Sequence, residues 1–486
     1  MITGVRKMNY IQTDEQPSVP VSMPFTTDGL SILGKTARES RFWNEYTETL
    51  PRDQLDALHL QRLQAMVDYA YRRSPFYRKK FDACGLKPGD IQSLDDFKRK
   101  VPVTDKSEFI EFQLEAPPYG PTLALPEEFV AHHCETSGTT GKPLAIPYSM
   151  YDTVRYGESW VYGYWALGIR PSDTFYFAFG WGNFAGFWSA YWGARRLGCR
   201  VISGGGLDTK GHIQAIMRMR PTVLISTPTF ALRLAAVAAE MGIDVSQSSI
   251  RYTYHAGEPG PTALPAMRAA IEKAWGAKSG ELLGIAEVDA LAPGCPNGDG
   301  VHVNEMNVFS WSMNPETGAE VADGEVGENI VTTFANTAQP LLNYRSHDLV
   351  RRVMNCSCGR TWVKFEGSVL GRSDFMMTVR GTNVYQTAVE NLIGETPEVS
   401  NSYELVLTRK DENDVMTIRF EPVAAFADKP ERWDDIGKRL SDRIHDALHV
   451  RLRATPVAPG SMPRYELKTK RIIDERPKQF RRELDR

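Results

Sequence analysis

The stretch CRVISGGGLDTKGHIQAIMRMRPTVLISTPTFALRLAAVAAEM, Cys199 to Met241, decides the fold class. Short runs rich in β-branched residues, CRVIS and TVLIST, alternate in it with longer runs of helical periodicity. The same alternation continues in IRYTYHAG, which precedes PTALPAMRAAIEKAW. Repeats of this kind predict an α/β domain with a largely parallel sheet. Such sheets bind ligands beyond the carboxyl ends of their strands, so the motifs that follow strands bear most on function.

The chain of 486 residues is too long for one core and predicts more than one domain. We interpret residues 1–371 as a large N-terminal α/β domain with mixed parallel sheets, in which the polar, proline-containing segment 1–48 is a loose lead-in. A helix is predicted from Asp53 to just before Pro75, which cannot continue it. Residues 372–486 read as two strands joined by a charged turn and an amphipathic helix, which predicts a small, mobile α+β domain.

Composition narrows the function classes. Lys and Arg number 57 against 60 Asp and Glu, a net charge near −3 that argues against nucleic acid or an anionic membrane as the main partner. Six cysteines are too few for a disulfide framework, and the N-terminus has no apolar signal core, so we expect a cytoplasmic protein. The uncharged segment Thr174–Ala194 is glycine-rich and reads as strand, turn and helix, which favours a pocket wall over a membrane span.

The loop ETSGTTGKP, Glu135 to Pro143, combines two glycines, hydroxyl side chains and a lysine. Glycines allow backbone N–H groups and hydroxyls to surround one anion closely, which suits phosphate. An ordinary P-loop is excluded, because only Thr139 and Thr140 separate the glycines and proline follows the lysine. A solvated turn is the alternative when the stretch is taken alone.

Further motifs follow this loop in a fixed order along the chain. They are HAGEPG (His255 to Gly260), LGIAEVDA (Leu283 to Ala290), YRSHDL (Tyr344 to Leu349), GRSDFMMTVRGTNVY (Gly371 to Tyr385) and ELKTKRIID (Glu466 to Asp474). In this order they resemble the adenylate-forming superfamily. The opening segment Thr49–Phe81 and the aromatic segment Phe179–Ile202 resemble, more closely, the phenylacetate–CoA ligase family.

This resemblance implies an ATP-dependent aryl-acid–CoA ligase. Such an enzyme joins an aromatic carboxylic acid to AMP as an acyl-adenylate, then transfers the acyl group to CoA and releases AMP and pyrophosphate. No protein nucleophile is needed, so catalysis rests on positioning and charge neutralisation. Two alternatives stay open: an enzyme that loads the phosphopantetheine arm of an acyl carrier protein, and a degenerate nucleotide-binding protein without turnover.

The resemblance also implies a role for each motif. The implied ATP-binding residues are Ser137, Gly138, Thr139, Thr140, Gly141, Lys142, Gly257, Glu258, Pro259, Asp348 and Arg372. Glu287 would bind Mg²⁺, and Lys468 would approach the α-phosphate as the second catalytic residue, with Lys470 as the alternative register. Asp374 would be the hinge about which the small domain rotates between the two half-reactions.

Two departures from the family pattern concern ATP and metal binding. Leu283 and Ala286 stand where the family usually has an aromatic and a hydroxyl residue, and His347 stands where a smaller or basic residue is common. Loss of the hydroxyl removes a phosphate or metal contact, so we expect either water in its place or weaker ATP binding.

The acid substrate would lie against the aromatic segment. The residues assigned to it are Trp181, Phe184, Phe187, His255 and Gly284. So much ring surface favours an aromatic acid over a short aliphatic one, because rings can line a flat slot. His255 either touches a polar ring substituent or caps its strand.

A structural zinc site is predicted from Cys295, His302, Cys356 and Cys358, since three sulfurs and an imidazole suit tetrahedral zinc and some members of the family carry such a metal. The alternative is a set of free, reduced thiols. A homodimer is allowed by the chain's apolar surface but not required by it.

Overall fold

A computed structural model describes residues 40–136, 143–183, 185–334, 336–373, 377–379, 382–384, 386–410, 413–448, 450, 452–463 and 471–475. Several predicted functional residues lie outside these ranges: residues 137–142 of the phosphate loop, Phe184, the hinge Asp374, and the lysines Lys468 and Lys470.

The described chain opens with helices that pack beside the later sheets. They are α1 (Glu45–Glu48), α2 (Arg52–Arg73), α3 (Pro75–Cys84), α4 (Leu94–Lys100) and α5 (Lys106–Glu115). Helix α2 buries Leu63, Val67 and Ala70 along one face and ends at Arg73, before the proline that opens α3. The helix predicted between Asp53 and Pro75 is confirmed.

An antiparallel hairpin flanks the predicted phosphate loop. Its strands are β1 (His132–Glu135) and β2 (Ala145–Tyr148), with His132 opposite Tyr148. Helix α6 (Met150–Leu167) follows directly. The hydroxyl of its N-cap Ser149 accepts a hydrogen bond from the Asp152 N–H, which satisfies one of the backbone N–H groups that have no partner within the helix. The hairpin therefore carries both ends of the loop on one piece of sheet.

The central layer is the α/β sheet predicted from the alternating segments. Its elements are β3 (Thr174–Phe177), α7 (Ala185–Leu197), β4 (Arg200–Ser203), α8 (Thr209–Met219), β5 (Val223–Ser226), α9 (Pro228–Glu240), β6 (Tyr252–His255), α10 (Pro265–Trp275), β7 (Lys278–Ile285) and β8 (Asp289–Pro293). The strand order is β4-β3-β5-β6-β7-β8, and every pair is parallel except β7 with β8. The predicted parallel sheet is confirmed, and its antiparallel edge makes it mixed.

A second, antiparallel sheet follows. Its strands are β9 (Gly300–His302), β10 (Val308–Met313), β11 (Val326–Thr333), β12 (Tyr344–Val353) and β13 (Lys364–Arg372), in the order β10-β11-β12-β13-β9. Strands β12 and β13 run side by side and antiparallel, so the first half of β12, at Asp348, lies beside the end of β13, at Arg372, just before residue 374. The nucleotide motifs of the two strands are thereby brought to one place.

The C-terminal residues form a small α+β unit. It contains β14 (Met377–Val379), β15 (Thr382–Val384), α11 (Gln386–Gly394), β16 (Val399–Lys410), β17 (Asn413–Pro422), α12 (Trp433–Leu448), β18 (Arg453–Pro456) and β19 (Ile472–Asp474). Strands β16 and β17 pair antiparallel, and Ile436, Leu440 and Ile444 of α12 join the apolar cluster of this unit. The predicted strand pair and amphipathic helix are confirmed.

One hydrogen bond ties this unit to the larger part of the chain. The Asn391 side-chain amide on α11 donates to the Ala263 carbonyl, at 2.9 Å, just before α10. Gly394 at the end of α11 faces Ala266 so closely that an added Cβ would lie 3.1 Å from the alanine methyl.

In the part of the chain that the structure describes, no helix has both the length and the apolarity needed to cross a bilayer.

Candidate active site

The loop after β6 carries the predicted adenine motif. Gly257 has φ +88°, a conformation that only glycine adopts without strain, and it turns the chain sharply after the strand. The Glu258 carboxylate accepts hydrogen bonds from the Thr229 hydroxyl, at 2.9 and 2.7 Å, and from its N–H at 3.2 Å, in the first turn of α9. The negative charge at a helix N-terminus holds the loop, including Pro259, in one position.

Asp348 and Arg372 meet on neighbouring strands. They are register partners in β12 and β13, and their side chains lie 3.3 Å apart. Arg372 also donates to the Ser346 carbonyl at 3.2 Å, and the Asp348 carboxyl group is buried, with about 8% of its side chain exposed. A carboxylate held in this way can accept hydrogen bonds from two neighbouring hydroxyls, while the guanidinium supplies positive charge beside it.

His347, the departure noted in the sequence, links this strand to α5. Its backbone has φ +61°, and its Nε2 lies 2.9 Å from Asp105, the N-cap of α5. Its Nδ1 lies 3.5 Å from the buried Glu328. Burial acts to raise the pKa of Asp105, but hydrogen bonds from His347 and the Ser107 N–H outweigh it and hold that pKa below its usual value. The imidazole therefore bridges two carboxylates next to the nucleotide motif.

Glu287 lies in the turn between β7 and β8 and is buried. Its carboxylate is 3.0 Å from the Lys106 ammonium, and burial together with this carboxylate raises the pKa of Tyr344 well above its usual value. The carboxylate oxygens are of the kind that Mg²⁺ prefers, so the residue fits the predicted metal role. Ala286 and Leu283, which replace the family's hydroxyl and aromatic residues, pack against apolar clusters instead.

The aromatic segment gathers several rings between β3 and α7. Phe179 and Phe187 stack with ring centroids 3.6 Å apart, and Trp181 and Trp188 approach to 4.8 Å. The Trp181 indole donates to the Ser203 hydroxyl at 2.5 Å, which holds the ring over the end of β4. Trp181 and Phe187 thus both contact Phe179, in the segment that follows the carboxyl end of β3.

His255 and Gly284 were both assigned to the acid substrate. The His255 imidazole is fully buried, its Nδ1 lies 3.1 Å from the Ser226 carbonyl, and its Nε2 has no hydrogen-bond partner. Burial lowers the pKa of His255 to about 4, so the ring is neutral. The histidine thus forms a hydrogen bond with the neighbouring strand β5 through Nδ1, and its Nε2 has no partner there.

Gly284 is required by packing, because an added Cβ would lie 2.5 Å from the Asp289 carbonyl.

The four predicted zinc ligands come together around one point. The ligand atoms of Cys295, His302, Cys356 and Cys358 all lie within 4.8 Å of one another. The sulfurs of Cys295 and Cys356 are 3.7 Å apart, close to the roughly 3.8 Å edge of a tetrahedron with Zn–S bonds of about 2.3 Å. His302 bonds the Trp362 carbonyl through Nδ1, at 3.0 Å, which leaves Nε2 facing the Cys358 sulfur at 3.2 Å.

Sequence reasoning missed Asp105, Lys106 and Tyr344. The sequence DKSE signals the start of α5, since Asp105 and Glu108 form a capping box, but it carries no sign of the distant partners. Tyr344 opens a recognised motif, yet only the folded arrangement places its ring beside Glu287.

Comparisons with known proteins identify the family of the chain. The family model described as "AMP-binding enzyme" matches residues 91–337, and that of the "AMP-binding enzyme C-terminal domain" matches residues 381–476. The chain is 33% identical to the phenylacetate–coenzyme A ligase of Thermus thermophilus, over 88% of this chain and 98% of that protein. It is 32% identical to the phenylacetate–coenzyme A ligase of Escherichia coli, over 88% of this chain and 97% of that protein.

Solved structures of 2-hydroxyisobutyryl-CoA ligase are similar over 90% of this chain and 93% of theirs. The postadenylation state with 2-HIB-AMP has a TM-score of 0.83 at 29% identity. The thioesterification state with 2-HIB-AMP and CoA has a TM-score of 0.68 at 30% identity.

The fold and the two matched domains define the class of the protein. It is an adenylate-forming enzyme, which is an ATP-dependent and AMP-forming acid–thiol ligase. Within that class, the chain belongs to the phenylacetate–coenzyme A ligase family. The fold class, the family and the enzyme class predicted from the sequence are confirmed.

Proposed function

We propose that the chain converts an aromatic carboxylic acid into its CoA thioester through an acyl-adenylate. A carboxylate oxygen attacks the α-phosphorus of ATP, which forms the acyl–phosphate bond and breaks the bond to pyrophosphate. The CoA thiol, whose proton passes to solvent, then attacks the carbonyl carbon and expels AMP. The observation that carries the proposal is the meeting of Asp348 and Arg372, from two separate motifs, at a distance of 3.3 Å.

These two residues are proposed to hold the nucleotide. The Asp348 carboxylate would accept hydrogen bonds from both ribose hydroxyls, and the Arg372 guanidinium would stabilise negative charge close by. The backbone after β6, at Gly257 and Glu258, would form the wall against which adenine stacks. The phosphate loop at residues 137–142, carried by the β1–β2 hairpin, would bind the β- and γ-phosphates.

Glu287 is proposed as the protein ligand of Mg²⁺. Bound Mg²⁺ would neutralise phosphate charge. The Lys106 ammonium, 3.0 Å from the same carboxylate, would orient Glu287 and place positive charge beside it. The Tyr344 phenol interacts with the same carboxylate.

The two half-reactions are proposed to use two arrangements of the small C-terminal domain, 372–486, about a hinge at Asp374. Lys468 would approach the α-phosphate for adenylation and withdraw for thiol transfer. The higher similarity to the postadenylation state than to the thioesterification state of 2-hydroxyisobutyryl-CoA ligase supports two such arrangements. In the present one, Asn391 holds α11 against the loop before α10.

An aromatic acid is proposed as substrate because the segment around Trp181 and Phe187 offers ring surface beyond the strand ends. The curated relatives named above act on phenylacetate, which is consistent with this choice.

We further propose a structural zinc ion at Cys295, His302, Cys356 and Cys358. Their spacing and the orientation of the imidazole fit tetrahedral coordination, and the ion would hold β9 to the β12–β13 connection.

The reaction needs ATP and CoA, both available in the cytoplasm, which is the proposed location. Whether the chain forms the homodimer that its apolar surface allows is left to measurement of its mass in solution. Product analysis tests the function: with ATP, Mg²⁺, CoA and an aromatic acid, AMP and acyl-CoA should appear in equal amounts. If AMP formation instead requires a carrier protein with a phosphopantetheine arm, the acyl acceptor is that carrier protein and not free CoA.

A further inference from the structure

A buried arginine lies at the start of the last described strand of the small C-terminal unit. Arg471 directly precedes β19, and about 5% of its side chain is exposed to solvent. An arginine is rarely buried to this extent unless its charge is paired. The groups that hold the guanidinium therefore indicate why the residue lies inside the protein.

Three groups surround the Arg471 guanidinium. Its Cζ lies 3.8 Å from the ring centroid of Tyr403, within the range of a cation–π interaction. One terminal nitrogen donates a hydrogen bond to the Asn401 carbonyl at 3.2 Å, and Nε lies 3.9 Å from Oε1 of Glu390. Tyr403 and Asn401 belong to β16 and Glu390 belongs to α11, so the arginine joins a strand to a helix.

The carboxylate partner is itself buried and held in place. The Glu390 side chain is fully buried, and the Gln386 amide, one turn earlier on α11, donates to its Oε1 at 3.0 Å. Burial raises the pKa of Glu390, although Arg471 acts in the opposite direction. Apolar side chains of similar size often stabilise a fold as well as a buried ion pair does, so the pair is better explained by the geometry that it fixes.

That geometry places the start of β19 against both β16 and α11. The Leu405 N–H on β16 donates to the Arg471 carbonyl at 2.7 Å, where the two strands pair in parallel. On α11, the residue after the glutamate is Asn391, whose side chain donates to the Ala263 carbonyl in the larger part of the chain. Arg471 thus links the last strand to the helix that contacts the segment following the adenine motif.

The same arginine is close in sequence to the lysine proposed to act in adenylation. Lys468 and the alternative Lys470, which lie outside the described residues, come three residues and one residue before Arg471. A chain spans at most about 3.6 Å per residue, so the Cα of Lys468 lies within about 11 Å of the Cα of Arg471. The position of Arg471 therefore limits where either lysine can reach.

We propose that Arg471 is a positioning residue for adenylation. Through Glu390 and Tyr403 it holds the start of β19 at α11, and thereby sets the place from which the lysine approaches the α-phosphate. This inference rests on the proposed function and holds for Lys468 and for Lys470. Because the lysine is proposed to withdraw before thiol transfer, loss of the arginine should slow adenylation and spare the second half-reaction.

The test measures the two half-reactions separately in Arg471→Met, which removes the charge and keeps a long, unbranched side chain. Acid-dependent ATP–pyrophosphate exchange, with the aromatic acid that the wild type exchanges fastest, reports adenylation. Conversion of the chemically synthesised aryl-adenylate to its CoA thioester reports thiol transfer. Exchange should fall at least about tenfold. Thioester formation from the supplied adenylate should stay within about threefold of wild type, because it does not use the lysine.

A second variant changes the partner instead of the arginine. Glu390→Gln keeps the size of the side chain and should lower exchange at least about threefold, again without an equal loss of thiol transfer. Arg419→Gln is the matched control. Arg419 donates to Glu475, beyond the other end of β19, at 2.9 Å, and its side chain is about 40% exposed. An exposed pair contributes little, so this variant should leave both half-reactions within about twofold of wild type.

Two results would overturn the inference while the ligase activity stood. One is unchanged exchange in a folded Arg471→Met or Glu390→Gln variant. The other is an equal loss in both half-reactions, which would mean that the ion pair only stabilises the small unit. A wild-type protein that shows no exchange with any aromatic acid would instead overturn the proposed function, and the inference with it.

Discussion

Asp348→Asn is the sharpest perturbation of the proposed nucleotide site. The substitution keeps the size of the side chain and removes the charge that faces Arg372 at 3.3 Å. If the carboxylate holds both ribose hydroxyls, each hydrogen bond changes from charge-assisted to neutral. The variant should therefore bind ATP less tightly, without any change in how the acid is bound.

The structure sets the size of the effect. The Asp348 side chain is about 8% exposed, so water cannot replace the lost charge. Hydrogen bonds to a charged group contribute roughly 1 kcal/mol more than neutral ones, which gives about 2 kcal/mol for two ribose hydroxyls. At about 1.4 kcal/mol per factor of ten, the KM for ATP should rise about 30-fold.

Steady-state pyrophosphate release at varied ATP measures this directly. Glu366→Gln is the control, because Glu366 pairs with Arg351 between the same two strands, at 3.4 Å, but on the exposed surface. It should leave the KM for ATP unchanged, as exposed pairs contribute little. A folded Asp348→Asn variant whose KM for ATP stays within threefold of wild type would refute the ribose assignment.

Four further outcomes are expected. Lys468→Ala should lower acid-dependent ATP–pyrophosphate exchange by at least about 100-fold, with ATP affinity measured by calorimetry within a few fold of wild type; the same loss in Lys470→Ala alone would move the role to that lysine. Glu287→Gln should raise the Mg²⁺ concentration for half-maximal activity about tenfold, and an unchanged Mg²⁺ titration would remove the metal assignment. Cys356→Ser should lower the zinc content found by mass spectrometry from one ion per chain and lower the unfolding temperature; a wild-type chain purified without zinc would contradict the site. Burial raises the pKa of Asp289 to about 7, above its unfolded value, so the proton that stabilises the folded state is lost as the pH rises. In urea titrations, the unfolding free energy of the wild type relative to Asp289→Asn should therefore fall by about 2 kcal/mol between pH 5.5 and pH 8. A constant difference would show that the carboxyl group does not titrate in this range.

The fold was predictable because local signals agreed with tertiary structure. The alternation around Cys199–Met241 became β4, α8, β5 and α9 in the order expected, since buried parallel strands and amphipathic helices have distinct periodicities. The antiparallel sheet of β9 to β13 was not specified strand by strand. Its strands are joined by irregular connections, and the pairing of β9 with β13 depends on contacts far apart in sequence.

The candidate site was predictable where a motif supplies the residue itself. Asp348 and Arg372 belong to two motifs, and strand pairing alone brings them together. The contacts of Lys106 and Tyr344 with Glu287 could not be predicted, because a lysine at a helix start and a tyrosine at a strand start are ordinary features until a distant side chain faces them. The same holds for Asp289, a single carboxyl in an apolar run, whose burial depends on how four elements pack.

The most direct test of the central claim is ATP–pyrophosphate exchange that depends on the acid. The panel should contain benzoate, hydroxybenzoates, aminobenzoates, phenylacetate, hydroxyphenylacetates and short fatty acids, each repeated with CoA for thioester formation. We predict exchange with an aromatic acid and none with the fatty acids, followed by the matching thioester when CoA is added. No exchange with any acid, in a protein that still binds ATP, would contradict the account and leave a nucleotide-binding protein without turnover.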